Sequence, residues 1–279
     1  GVGAVRGTLT AMDYPSVSGL SAQQDGPVLT LTLDRPDRRN AVNDEMLDAM
    51  IGHFAAAGID ESVRVIRINA TGPDFCAGSD LVANNTHSER KPRVGSTQRR
   101  LPNKANRLIP LMLETQVPVV AVVRGWAAGL GFHMAIASDF CVAAEDARFW
   151  EPFMARGFTP DSGAAWLLPR LIGMVRTRQL LMLGEELSGT TAAEWGIIHG
   201  AHPDGGLDTA AADLVNRLAS SPTVALGLTK WLLQSGNGLD LDRHLQNEAM
   251  ALELSSRSED FKEGLRAFRD KRDAEFTGR

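Results

Sequence analysis

The run Pro118-Val119-Val120-Ala121-Val122-Val123 constrains this chain most. It is bounded by a proline and by Arg124, far too short to cross a bilayer and shorter than an ordinary helix. Continuous apolar text of this length reads as a strand buried on both faces. Such a strand needs helices on either side, which makes the class α/β with largely parallel pairing. Other segments agree. Pro27–Leu33 (PVLTLTL) alternates apolar and small polar residues, Val63–Ile68 (VRVIRI) is a second strand, and Phe140–Ala143 (FCVA) a fourth. Between the first two, Asn43 caps a helix with Asp44 and Glu45 in its first turn. Met46, Leu47, Met50 and Phe54 form its apolar face.

From about Leu207 helical patterns dominate, over 208–218, 222–233, 239–254 and 259–269. The organisation read from this is a flexible tail over 1–20, an α/β core over 21–206 and a helical region over 207–279. The N-terminal text, small and without a basic-then-apolar leader, does not read as a signal peptide. Cys76 and Cys141 make neither a disulfide framework nor a metal set, so a reducing, cytoplasmic setting is expected and no metal site. A net charge of −5 argues against nucleic acid or an anionic membrane as partner. One stretch runs against that balance: Glu89–Arg107 holds seven basic residues against one acid. It reads as a solvated loop, or as a surface that meets an anionic ligand.

Two segments share one design. Asp74-Phe75-Cys76-Ala77-Gly78-Ser79-Asp80-Leu81 follows the second strand, and Gly125-Trp126-Ala127-Ala128-Gly129-Leu130-Gly131-Phe132 follows the third. Small residues past a strand and before a helix let backbone N–H groups approach a ligand, and a helix start adds positive potential. Two such donors converging would form an oxyanion hole. Gly129-Leu130-Gly131 also opens a dinucleotide fingerprint, but Met134 stands where its third glycine belongs.

In this order, with LTLDRPDRRNAV ahead of them, ARFWEPFMARGFTPDSGAAWLLPRLIG and LSGTTAAEWGIIHG after them, and EDFKEGLRAFRDKRDAEFTGR at the end, the segments resemble the crotonase (enoyl-CoA hydratase/isomerase) superfamily over roughly residues 27–279. The motifs resemble most its dienoyl-CoA isomerases and the ring-epoxide isomerase of phenylacetate breakdown. The resemblance implies a crotonase-like spiral of ββα units with a C-terminal α-helical oligomerisation region, assembled as a homotrimer or a dimer of trimers. It implies an acyl-CoA substrate, with coenzyme A entering as part of the substrate and no prosthetic group. The backbone N–H groups of Ser79 and Leu130 would hold the thioester oxygen, Leu130 standing where glycine is common. Arg38, Arg39, Ala41, Ala77, Asp80, Leu81 and Phe276 would lie along the CoA, with Lys271 and Arg279 near Phe276.

An oxyanion hole stabilises a thioester enolate, and a carboxylate then moves the proton. The two glutamates of family hydratases match His133 and Phe153, so neither is present. Asp161 is the strongest substitute, at a position where some family isomerases carry an acid; its other reading is a helix cap. His133 is second, or a buried hydrogen-bonded imidazole. Glu151 is third and Asp139 last among the groups that could move the proton, and a structural role is the main reading of each. Trp150, Phe153, Phe158 and Trp166 form an aromatic acyl pocket, or simply core. The expected reaction is isomerisation of an unsaturated acyl-CoA. Hydration, hydrolysis through His133, and an acyl-CoA- or RNA-binding role without catalysis are the alternatives.

Overall fold

The computed structural model describes residues 12–80 and 93–279. Among these, a six-stranded sheet forms the centre. Its strands are β1 (Leu20–Asp25), β2 (Val28–Leu33), β3 (Val65–Ala70), β4 (Val119–Val123), β6 (Phe140–Ala144) and β9 (Gly200–His202), side by side in that order. Only β1 and β2 pair antiparallel; every later pairing in this sheet is parallel. A smaller sheet joins β5 (Trp126–Ala128), β7 (Arg148–Trp150) and β8 (Leu187–Ser188). Every residue of β4 is buried, as its unbroken aliphatic text requires.

Helices cover the sheets. In chain order they are α1 (Asp44–Ala57), the short α2 (Ser96–Arg100), α3 (Ala105–Glu114), α4 (Leu130–Ala137), α5 (Ala164–Arg178) and α6 (Gly189–Glu194). Then come α7 (Asp204–Ala219), α8 (Thr223–Ser235), α9 (Leu241–Ser255) and α10 (Glu259–Asp270). Asn43 caps α1 by accepting the Met46 N–H at 2.9 Å, and Met46, Leu47, Met50 and Phe54 are buried beneath it. The structure is therefore α/β with a helical C-terminal part, as the alternation of strand and helix text implied.

Several boundaries differ from the reading of the sequence. The loose tail does not extend to residue 20. Tyr14 is buried and its hydroxyl donates to Asp60 at 2.9 Å, and Leu20 already pairs with Leu33. Strand β1 carries polar text (Leu-Ser-Ala-Gln-Gln-Asp) because it is an edge strand, with its outer residues in water. The strand expected over 63–68 runs two residues later, over Val65–Ala70, because its register is set by pairing with β2 and β4. A division at 206/207 would cut α7, which starts at Asp204. In the basic stretch, Arg100 donates to Asp44 at 2.7 Å and Lys104 to Asp48 at 2.7 Å. Those two cations pair with acids of α1. Leu81 and the rest of 81–92 lie outside the described residues.

Candidate active site

The two glycine-containing segments lie against each other. Cys76 bridges Ala127: the Cys76 N–H donates to the Trp126 carbonyl at 2.8 Å and the Ala128 N–H to the Cys76 carbonyl at 2.9 Å. On its other side the same segment bridges the loop before α1. The Val42 N–H donates to the Gly78 carbonyl and the Asp80 N–H to the Val42 carbonyl. The bridge spends the Asp80 N–H and Cys76 Sγ takes the Gly78 N–H at 3.4 Å, which leaves the Ser79 N–H without a protein acceptor among the described residues. The Leu130 N–H is equally unspent, because Leu130 is the first residue of α4.

Two glycines make this approach possible. A Cβ on Gly131 would collide with the Cys76 carbonyl oxygen, so only glycine lets α4 press against the first segment. Gly78 holds φ +97°, and a Cβ there would sit 3.7 Å from the Leu130 nitrogen. The Leu130 side chain is buried in the core, so its size does not obstruct the N–H at the helix start.

The loop carrying Arg38 and Arg39 is fixed by a residue that carries no signal in the sequence. Asn40 is fully buried. Its Oδ1 accepts the Arg35 N–H at 2.7 Å, and its Nδ2 donates to the carbonyls of Thr71 at 2.9 Å and Asp74 at 2.7 Å. Arg35 adds a bond to the Ala41 carbonyl at 2.7 Å and an ion pair with Asp80 at 3.1 Å. The motif pointed to this loop, but nothing in the linear text says which polar residue turns inward. Arg38 and Arg39 stay largely exposed, beside Asp37 and Asp74 at 3.7 Å each. Ala41 and Ala77 are half-buried along the same edge. Phe276 lies elsewhere: its carbonyl accepts from Arg64, immediately before β3, at the end of that strand opposite Thr71 and Asp74.

Asp161 does not cap α5. The cap position is Gly163, with no side-chain bond to the helix start, and only the Asp161 carbonyl meets the Ala164 N–H. The Asp161 residue is half-buried. His133 is placed differently. It and Glu151 are both sealed, with no exposed side-chain surface, and His133 Nε2 lies 3.1 Å from Glu151 Oε1. Burial pushes the Glu151 carboxyl above the usual range; His133 pulls it back, and the nearby Asp161 charge pushes it further up. His133 Nδ1 has no protein partner among the described residues. The imidazole stacks on Phe153 at 6.0 Å, and Phe153 meets Phe158 edge-on at 5.4 Å.

The expected aromatic group is thus brought together only in part. Trp150 turns away: its Nε1 donates to the Gly184 carbonyl at 3.1 Å and its ring meets Trp126 at 5.9 Å. Strand alternation explains this, since Phe149 is the inward residue of β7. Trp166 lies partly exposed on α5 under the Arg170 guanidinium at 3.9 Å. Asp139 is engaged by Lys230 at 2.6 Å and by the Val119 N–H at 2.8 Å, a structural tie between β4, α4 and α8. Ser162, next to Asp161 in the chain and equally silent in the sequence, is buried at φ +48°, and its hydroxyl has no partner among the described residues.

Comparison with known proteins shows the family and the fold. The profile of the enoyl-CoA hydratase/isomerase family matches residues 23–279. The chain is 37% identical over 253 residues to the 1,2-epoxyphenylacetyl-CoA isomerase of Escherichia coli K12, covering 90% of this chain and 95% of the relative. It is 31% identical over 260 residues to the trans-2-decenoyl-[acyl-carrier-protein] isomerase of Streptococcus mutans, covering 91% and 96%. Its fold superposes on the enoyl-CoA hydratase of Bacillus anthracis with a TM-score of 0.86 at 27% identity, covering 94% and 100%. The chain is an acyl-CoA enzyme of the enoyl-CoA hydratase/isomerase family, with the crotonase fold.

Proposed function

We propose that this enzyme isomerises an unsaturated acyl-CoA through a thioester enolate, with Asp161 moving the proton. The observation that carries this reading is the state of the candidate acid/base groups, of which Asp139 is tied to Lys230 and the Val119 N–H. His133 and Glu151 are sealed against each other, whereas Asp161 is half-buried and holds no cap bond. The unspent N–H groups of Ser79 and Leu130 would take the thioester oxygen, whose negative charge grows as the enolate forms. Asp161 as carboxylate would accept a proton from the gamma carbon and return it at the alpha carbon, or the reverse. Phe153 and Phe158 give the carbon skeleton an apolar wall.

Coenzyme A is here a part of the substrate. Arg38 and Arg39, exposed at the mouth, would meet its phosphates, with Ala41, Ala77 and Asp80 alongside its adenine. Phe276 stands at the far end of β3, on the order of 20 Å along the strand from the arginine loop. A contact from it to the same CoA would therefore come from a second copy of the chain, as in the expected trimer or dimer of trimers.

Hydration is the second reading, favoured by the hydratase whose structure this fold matches. Hydrolysis through His133 has less support, because its imidazole is held against Glu151 and has no exposed surface. Incubation with unsaturated acyl-CoAs in heavy water separates these outcomes. Deuterium uptake at unchanged composition, with a shifted double bond, supports isomerisation. Gain of one water without a shift overturns it in favour of hydration, and release of free CoA overturns both.

A further inference from the structure

We infer that Glu151 is a positioning residue for the thioester site: through His133 it fixes the first turn of α4, and so aims the Leu130 N–H at the thioester oxygen. The inference rests on the reading above, in which that oxygen is held between the N–H groups of Ser79 and Leu130.

Leu130 follows Gly129, whose backbone (φ +50°, ψ −120°) lies in a region that favours glycine. The peptide between these two residues carries the Leu130 N–H, so its direction depends on how the turn is held. The turn is fastened at two points, both to the end of β7. At its start the Gly129 N–H donates to the Trp150 carbonyl at 3.0 Å, where Ala128 pairs with Trp150 in the smaller sheet. One turn on, His133 Nε2 lies 3.1 Å from Oε1 and 3.2 Å from Oε2 of Glu151, the residue after Trp150. The His133 N–H in turn donates to the Gly129 carbonyl at 2.9 Å. These bonds close a ring through Gly129, His133, Glu151 and Trp150, and Leu130 lies within it.

Glu151 supplies the directional contact to the imidazole. His133 Nδ1 has no partner among the described residues, and Phe153 covers one face of the ring at 6.0 Å without a hydrogen bond. Glu151 has no exposed surface and both its oxygens face His133, so its effect on a substrate passes through that ring. Burial pushes the Glu151 carboxyl up, and the Asp161 charge adds to this, so the pair keeps a shared proton and no net charge. A neutral pair can stand near a growing enolate without opposing it, which a lone carboxylate cannot.

Aim matters because a hydrogen bond weakens steeply once its donor swings out of line. With the tie to Glu151 cut, one of the two polar fastenings is gone and the turn is free to pivot about Gly129. The amide of Glu151→Gln can still bond His133 Nε2, whereas Glu151→Ala cannot.

The test reads the thioester carbonyl directly and needs no turnover. Butanoyl-CoA, isotopically labelled at its carbonyl carbon, is bound to each protein, and its carbonyl stretch is followed by infrared difference spectroscopy. Binding to the wild type should lower the frequency. Glu151→Ala should lose about half of that shift, one donor of two. Glu151→Gln should keep most of it. Free CoA has no thioester carbonyl and should bind both variants within about twofold of the wild type, as a poorly folded variant would not.

A full shift in Glu151→Ala overturns the inference and leaves the thioester reading standing. An equal loss in Glu151→Gln and Glu151→Ala overturns it as well, because the amide preserves the tie. If the carbonyl of butanoyl-CoA does not shift on the wild type, the thioester reading falls and takes the inference with it.

Discussion

His133 Nε2 lies 3.1 Å from Glu151 Oε1, and neither side chain has any exposed surface. The pair joins the first turns of α4, where Leu130 stands, to the strand end that leads into the Asp161 loop. Removing one partner leaves the other buried and unpaired, so Glu151→Ala should lose about 3 kcal/mol of stability, and Glu151→Gln much less. Chemical denaturation of both variants checks this; equal losses would show that the hydrogen bond to His133 contributes nothing.

The same pair carries a pH dependence with a definite sign. Burial raises the Glu151 carboxyl above its unfolded range, so the native state holds a proton that the unfolded chain has already released. Stability from this group is present below the unfolded value and is lost as pH rises through the raised native one. Glu151→Gln cannot titrate and should lack this slope. Urea melts of the two proteins between roughly pH 5 and 9 should diverge toward the alkaline side. Parallel curves would show that Glu151 does not titrate differently on folding.

Asp161→Asn should lower kcat by about 100- to 10,000-fold while leaving the affinity for CoA within about twofold. The substitution preserves shape and removes the base. Steady-state rates alongside calorimetric CoA binding test it, and a fully active variant would return attention to the sealed His133.

Gly131→Ala runs against helix propensity. Alanine is the better helix former by about 1 kcal/mol, yet a Cβ at Gly131 meets the Cys76 carbonyl oxygen. The variant should be destabilised by about 1 to 3 kcal/mol. Prying the two segments apart should also cost at least about 100-fold in kcat. Thermal melts and kcat together decide it; a stabilised, active protein would mean that the segments have room to spare.

Asn40→Ala deletes a buried hub with three hydrogen bonds, to the Arg35 N–H and the Thr71 and Asp74 carbonyls. A loss of about 2 to 4 kcal/mol is expected, at roughly 1 kcal/mol per bond. KM for the CoA substrate should rise more than kcat falls, because the arginine loop loses its anchor. A matched change in both constants would place Asn40 in the reaction itself.

The sequence by itself determined the class and the order of elements. Val119–Val123 reads as a strand covered on both faces, as the structure has it, and the glycine segments after β3 and β4 read as candidate sites for backbone donors. The Asn43 cap and the apolar face of α1 were equally legible, because cap chemistry and helical periodicity are local. The polar β1 was not, since an edge strand needs no hydrophobic text.

What tertiary structure alone decided is who meets whom. Asp161 keeps a second reading as a helix cap until Gly163 is seen in the cap position. His133 reads as a proton carrier or as a buried imidazole until Glu151, eighteen residues away, is found against it. Asn40 turns inward and Arg38 outward within one loop, although both are polar. Ser162 faces a cavity whose walls come from three separate helices. Periodicity and caps are written over a few neighbouring residues, but burial and pairing depend on chain brought back from far away, which no local pattern encodes.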